Sequence, residues 1–319
     1  MSNLLEEREY YKPFNYPWAY EFYKQQHQMH WLPEEVNLAD DLKDFREKMD
    51  DDSRQLLTNL FTFFTQADVD VCCGYAKHYI PKFKQPEVRM MLISFAAMEA
   101  VHQDAYSLLL ETMGFGEDIY TEFMNHKAMM DKHEYLDNFG METPLEIAKT
   151  MAIYSAFTEG VQLFSSFAIL LNYPRHNLMK GMGQIVTWSI RDESLHVEGM
   201  SKLFRTFVQE NPEVWNDELK YEVYCAAERT VELEDAFIDL CFGRAEVPGL
   251  TAREVKDYIR YIADKRLLGI GMKKIFNSNE NPLPWIDYMV NAVEHTNFFE
   301  NRSTEYSKAS TVGNWQDIF

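Results

Sequence analysis

Apolar residues recur every three or four positions through most of this chain, the period of a helix with one buried face. The pattern starts late. Residues 1–35 are aromatic but irregular, with Pro13, Pro17 and Pro33 as breakers. From there the periodicity predicts a polar amphipathic helix over about 39–50 and a long helix over about 52–79 that stops at Pro81. Another opens at Pro86-Glu87, a favourable first-turn pair, and runs to Gly114. A short polar helical stretch reaches about 138. Thr143-Pro144-Leu145-Glu146 then starts a long helix ending near Asn172-Tyr173-Pro174, and another fills 175–209 up to Asn211-Pro212. Helices also fit 212–242 and 251–272, and beyond about 298 the periodicity is lost. No linker or low-complexity block divides the middle. The chain therefore reads as an irregular N-terminal segment (1–35), one all-α domain (36–298) and a flexible C-terminal tail (299–319).

Two of these helices carry the same word. Glu99-Ala-Val-His102 and Glu193-Ser-Leu-His196 both read Glu-x-x-His, a spacing that puts carboxylate and imidazole on one helix face. The preceding long helix of each half carries an inward acid, Asp68 thirty-one residues before Glu99 and Glu159 thirty-four before Glu193. Asp68 interrupts the apolar line Leu60, Phe64, Cys72, Tyr75, whereas Asp70 lies about 200° further round and reads as solvated. Glu159 shares a face with Ala152, Ala156, Leu163 and Phe167; Glu193 and His196 share one with Ile185, Ser189 and Met200. Two antiparallel helix pairs packed together would bring all six side chains around one axis.

A bare buried carboxylate costs several kcal/mol, and four in one core would also repel one another. Divalent or trivalent metal ions remove that cost by supplying countercharge. Asp68, Glu99, His102, Glu159, Glu193 and His196 thus read as the ligands of a dinuclear site, and four carboxylates with two imidazoles suit iron or manganese rather than zinc. Tyr106 lies four residues after His102 on the same face. Helical side chains lean toward the amino terminus, so its phenol can approach the metal bound by His102. Beside a centre that activates oxygen, it is a candidate for one-electron oxidation; a plainly packed tyrosine is the alternative.

Composition narrows the function classes. The 319 residues include 22 Phe, 18 Tyr and 17 Met but only 13 Gly and 11 Pro, which fits long helices around a thick core. A net charge of -20 argues against nucleic acid and against an anionic membrane surface. No run of eighteen apolar residues exists to span a membrane. Met1–Glu7 lacks the basic start and apolar core of a secretory signal. Cys72, Cys73, Cys225 and Cys241 are too few and too irregular for a disulfide framework or a structural zinc site; adjacent Cys72 and Cys73 lie in a helical pattern and read as reduced core residues, and the expected compartment is cytoplasmic.

With these residues assembled, the chain resembles the small (beta, radical-generating) subunit of class I ribonucleotide reductases over nearly its whole length. The resemblance rests on Trp31-Leu-Pro-Glu-Glu-Val36, Phe63-Phe64 ahead of Asp68, Glu99-Ala-Val-His-Gln-Asp-Ala-Tyr106, Glu159 and Arg191-Asp-Glu-Ser-Leu-His196. It implies a ferritin-like helical bundle in which Asp68, Glu99 and His102 bind one metal and Glu159, Glu193 and His196 the other, with carboxylates bridging. It further implies a tyrosyl radical on Tyr106, walled by Leu163, Phe167 and Leu195. Ser189 departs from the family, whose members often carry an apolar residue there. By the same resemblance Trp31 and Asp192 relay an electron and a proton, Asp192 being hydrogen-bonded to His102. A plain ion pair of Asp192 with Arg191 or another neighbour is the alternative.

Tyr306 in the tail matches the tyrosine that hands the oxidising equivalent to the large (alpha) subunit. Trp315, Ile318 and Phe319 read as apolar anchors of a tail that docks that subunit. The expected protein is a homodimer that binds no nucleotide substrate itself, having no Gly-rich phosphate loop and no catalytic cysteine pair. Tyr106 argues against the subgroup with phenylalanine there and a manganese/iron pair. The full carboxylate set argues against the metal-free subgroup. Two iron ions are the first expectation, and two manganese ions remain open. Two other readings stay in view: an oxygen-activating oxidase or hydroxylase on the same scaffold, and a ferritin-like iron-binding protein.

Overall fold

The structure, a computed structural model, describes residues 3–135 and 140–290. Among the described residues it is all-α. Helix α1 (Pro17–Gln28) lies inside the segment expected to be irregular. It has Pro17 in its first turn and buries only Ala19, Phe22 and Gln26, a face too short and too polar to register as a period. After α2 (Ala39–Glu47) comes α3 (Asp51–Gly74), opened by Asp50, which accepts from the Ser53 N–H at 2.8 Å. The helix widens into a π-turn at Tyr75–Tyr79 and closes with a short last turn, α4 (Ile80–Lys82). Helix α5 (Pro86–Met113) ends at Gly114, whose φ of 93° terminates the helix in the left-handed region.

The second half begins, after α6 (Lys127–Tyr135), with α7 (Pro144–Ile153). The helix starts where expected, with Thr143 and Glu146 forming a capping box. The single helix read over 143–174 is not continuous. It passes through a π-turn, Tyr154–Thr158, and a non-helical stretch, 159–163, before α8 (Phe164–Arg175). The Glu159 and Gln162 N–H groups reach five residues back, to Tyr154 O (3.3 Å) and Phe157 O (3.0 Å), so one extra residue is fitted into the turn. Then follow α9 (Lys180–Glu210), α10 (Asp217–Phe242) and α11 (Ala252–Gly269).

The core lies between the α3/α5 pair and the pair formed by α7–α8 with α9, flanked by α1, α10 and α11. The start of α9 is pinned from α2. Asp44 accepts from Met179 N–H (3.0 Å), and Asp41 accepts from Gly181 N–H (2.9 Å) and Met182 N–H (2.7 Å). Two carboxylates there satisfy first-turn donors and face the positive end of the helix dipole. No helix among the described residues is long and apolar enough to cross a membrane.

Candidate metal centre

Four helical segments each bring one part of the cluster. Asp68 comes from α3, Glu99 and His102 from α5, Glu159 from the end of the π-turn after α7, and Glu193 and His196 from α9. All six are essentially sealed from solvent. Potential ligand atoms of Asp68, Glu99, His102 and Glu193 converge within 4.8 Å of one another, as do those of Glu159, Glu193 and His196. Glu193 belongs to both groups, and Glu99 lies between the imidazoles, 3.4 Å from His102 Nδ1 and 2.8 Å from His196 Nδ1. Glu99 and Glu193 therefore lie between the two groups of potential ligand atoms.

The donor set has bonding capacity that a cation would fill. Asp68 Oδ2, both oxygens of Glu99 and of Glu159, Glu193 Oε2 and His196 Nδ1 are buried without a hydrogen-bond partner among the described residues. Burial raises Asp68 and Glu159 well above the usual carboxylate range and raises Glu193. Burial would raise Glu99 too, but His102 and His196 beside it draw it down to about 2. The residues fit a dinuclear site by charge, donor type and unspent bonding capacity.

Each imidazole turns Nδ1 to the carboxylates and Nε2 outward. His102 Nε2 faces Asp192 Oδ2 (3.3 Å) and His196 Nε2 faces Gln26 Oε1 (3.0 Å). Both outer atoms can only accept, so both rings donate from Nε2, and Nδ1 is the nitrogen that would face a metal in place of a proton. Gln26 Nε2 donates to Asp192 Oδ1 (3.2 Å), joining the two outer contacts into one network. Sequence reading missed Gln26 altogether; it sits in α1, within the supposedly irregular segment.

Trp31 is 2% exposed, and its Nε1–H donates to Asp192 Oδ2 at 2.7 Å. The Trp-Leu-Pro-Glu-Glu segment explains itself locally. Pro33 opens a one-turn 3-10 helix, and the Glu35 carboxylate accepts from the Leu32 N–H (3.0 Å), fixing the indole just before it. Trp31 also packs against Trp188 with ring centroids 5.1 Å apart, a neighbour no motif signalled. Asp192 does approach Arg191, at 3.7 Å, but Arg191 spends its stronger contact on Met29 O at 2.6 Å. Both expected contacts of Asp192 are thus present, with the histidine link the closer.

Tyr106 is buried, its ring stacked 4.5 Å from Phe64, which stacks in turn 5.0 Å from Phe167. Phe64 is the wall that the sequence did not single out. Leu195 is not one: it lines a surface cavity with Ile190 and Ile262, on the other side of α9 from Glu193. The Tyr106 hydroxyl donates to Ser189 Oγ over a long 3.4 Å, and Ser189 itself donates to Ile185 O at 3.1 Å. Burial, then the charge of Asp68, push the phenol far above its ordinary value. Asp70 is outside the cluster as expected, but it is half-buried rather than solvated, 2.5 Å from His133 Nδ1. Tyr306, Trp315, Ile318 and Phe319 lie outside the described residues.

A sequence model described as ribonucleotide reductase, small chain, matches residues 8–282. The chain is 46% identical to the probable ribonucleoside-diphosphate reductase small subunit 376L of invertebrate iridescent virus 6, over 99% of each chain. It is 32% identical to the ribonucleoside-diphosphate reductase subunit beta of Chlamydia pneumoniae, over 94% of this chain and 90% of that one. Its fold matches the ribonucleotide reductase R2 subunit from Clostridium botulinum with a TM-score of 0.80 at 23% identity, covering 86% of this chain and 89% of that one. Sequence match, ferritin-like fold and buried donor set agree, and the chain belongs to the ribonucleotide reductase small-chain family, as the beta subunit of a ribonucleoside-diphosphate reductase.

Proposed function

We propose that Asp68, Glu99, His102, Glu159, Glu193 and His196 hold two iron ions, or two manganese ions, and that Tyr106 stores the resulting oxidising equivalent as a tyrosyl radical. The large subunit would draw on that radical to reduce ribonucleotides to deoxyribonucleotides. The observation that carries this reading is the sealed set of carboxylate oxygens and imidazole nitrogen with no protein donor to meet them. Bound there and oxidised by oxygen, the metal pair would supply the potential to take one electron from a phenol.

The chain's own groups do the rest. The outward hydrogen bonds of His102 and His196 fix their tautomers and ring planes. Phe64, backed by Phe167, covers the Tyr106 ring and excludes water and reductants. The phenol is protonated at rest because burial disfavours phenolate. Its proton must leave with the electron; the hydroxyl donates to Ser189 Oγ (3.4 Å), and Asp68 is the carboxylate whose charge acts on it most. The contacts Trp31 Nε1–Asp192 Oδ2 and Asp192 Oδ2–His102 Nε2 form a continuous route for electron and proton between the N-terminal segment and a ligand ring.

Tyr306 and the tail 299–319 would continue that route to the large subunit and dock it. A second copy of this chain would cover the α5 face where Ile93, 52% exposed, lines up with exposed Ala97 and Ala100. The four cysteines are free, which fits a reducing, cytoplasmic setting.

Metal analysis after anaerobic loading tests the site. About two ions per chain are expected, with a clear fall in Glu159→Gln and Glu193→Gln. A wild-type chain that retains no metal refutes it. Truncation after Asn301 should abolish turnover with the large subunit while leaving metal content intact; full activity of the truncated chain would rule out the docking role.

A further inference from the structure

Between the second π-turn and α8, the stretch 159–163 has given up part of the helical ladder. The Phe164 N–H bonds to Val161 O (3.0 Å) instead of reaching the Gly160 carbonyl four residues back. Gly160 O accepts from Arg266 Nε at 2.9 Å instead. Two residues further on, Gln162 O accepts from Lys132 Nζ at 2.6 Å. Released carbonyls in a dry core are expensive unless paired. Here two cations from two other helices, α6 and α11, meet them within one five-residue stretch.

Neither cation is casually placed. Lys132 is 1% exposed, with its ammonium 4.4 Å from the Phe63 ring centre and 4.1 Å from that of Phe237. It is 2.6 Å from Glu234 Oε1 on α10, and Glu234 Oε2 accepts from Ser165 Oγ in the first turn of α8. Arg266 lies 5.0 Å from the Phe164 ring centre, and burial lowers its pKa to about 10, which leaves it charged at neutral pH. A Cβ at Gly160 would overlap the Ala156 carbonyl and crowd Arg266 Nε, so this approach requires glycine. Internal ion pairing alone would account for Lys132 with Glu234. It does not account for both cations ending on carbonyls of the same unwound stretch.

Register gives the stretch its importance. One residue added in a π-turn rotates everything after it by about 100° relative to a plain helix. Glu159 is the first residue past that turn, so its direction depends on the turn being held open. We infer that Lys132 and Arg266 are positioning residues for the metal centre: bound to the Gln162 and Gly160 carbonyls, they keep the chain unwound where this aims Glu159 at Glu193 and His196. The inference rests on Glu159 being a metal ligand, and it assigns the clamp to the metal of that side only.

Two variants break the clamp, Arg266→Met and the pair Lys132→Met with Glu234→Gln, which leaves no buried carboxylate without its cation. In metal-free protein, amides of 159–166 should exchange at least about tenfold faster than in the wild type, with α3 and α5 unchanged. In a Mn(II) titration followed by the resonance of the free aquo ion, one equivalent should bind as in the wild type. The other should weaken by about 10- to 100-fold, with partial recovery in Arg266→Lys, which can still donate to Gly160 O. Wild-type exchange rates in 159–166, or two unweakened equivalents, would overturn the inference. A wild-type chain that binds no Mn(II) would overturn the metal reading alone, since exchange still decides the clamp. If the paired variant fails to fold, Arg266→Met decides by itself.

Discussion

At the scale of single residues, the site divides into groups that the sequence announces and groups that only folding brings in. The six ligands are legible because a carboxylate or imidazole in an apolar stripe has no cheap place in a protein core. Gln26 has no such signature. A glutamine in a short aromatic segment carries no period and no charge, yet it ends up 3.0 Å from His196 Nε2 across 170 residues of sequence. Its loss should be felt at the metal. Gln26→Leu frees the His196 ring and removes a donor from Asp192, so Mn(II) affinity should fall by about tenfold or more with the helical fold intact. Unchanged affinity by titration would show that the outer contact is idle. Phe64 was missed for a milder reason: its place beside Tyr106 depends on the rotation of α3 against α5, which periodicity alone does not fix.

Elements show where pattern reading loses resolution. A hydrophobic period reports a helix only while one face stays polar. Residues 147–173 are buried almost without exception, so the break around Glu159 leaves no trace in the pattern and the stretch reads as one helix. The same argument does not hide α9, whose polar face survives over its 31 residues. That helix carries Glu193 and His196, and its start depends on two acids from α2. Asp41→Ala removes a charged acceptor of two first-turn N–H groups and should destabilise the protein by about 1–3 kcal/mol. Denaturant unfolding measures this, and a loss within about 0.5 kcal/mol of zero would mean that water replaces the carboxylate without cost.

For the whole molecule, the decisive fact is that it folds around charge it does not itself neutralise. Burial holds Asp68, Glu159 and Glu193 above their ordinary values. Burial alone would lower His102, but Asp192, Glu193 and Glu99 raise it well above the usual histidine value. All four groups bind protons more readily folded than unfolded, so the stability they contribute is present at low pH and is lost as pH rises through their raised values. Glu99 has the opposite sign, but its contribution is lost only in acid, toward about 2. The metal-free protein should therefore lose thermal stability as the pH rises above the ordinary carboxylate range. With Mn(II) bound, the cation replaces the protons, and the gap between loaded and free Tm should widen with pH. Parallel Tm profiles would mean that the cluster is not where the metal acts.

The fold class and the site were thus readable at the largest scale, while the register that aims Glu159 was not. What joins the scales is Tyr106, a buried phenol between an aromatic wall and a cluster built for metal. The measurement closest to that claim is an electron paramagnetic resonance spectrum taken after loading with Fe(II), or with Mn(II) and an oxidant, with metal content determined on the same sample. A tyrosyl signal in the wild type that disappears in Tyr106→Phe, with metal content unchanged, is the expected result. A metal-loaded wild type without that signal, or a signal that persists in Tyr106→Phe, would contradict it.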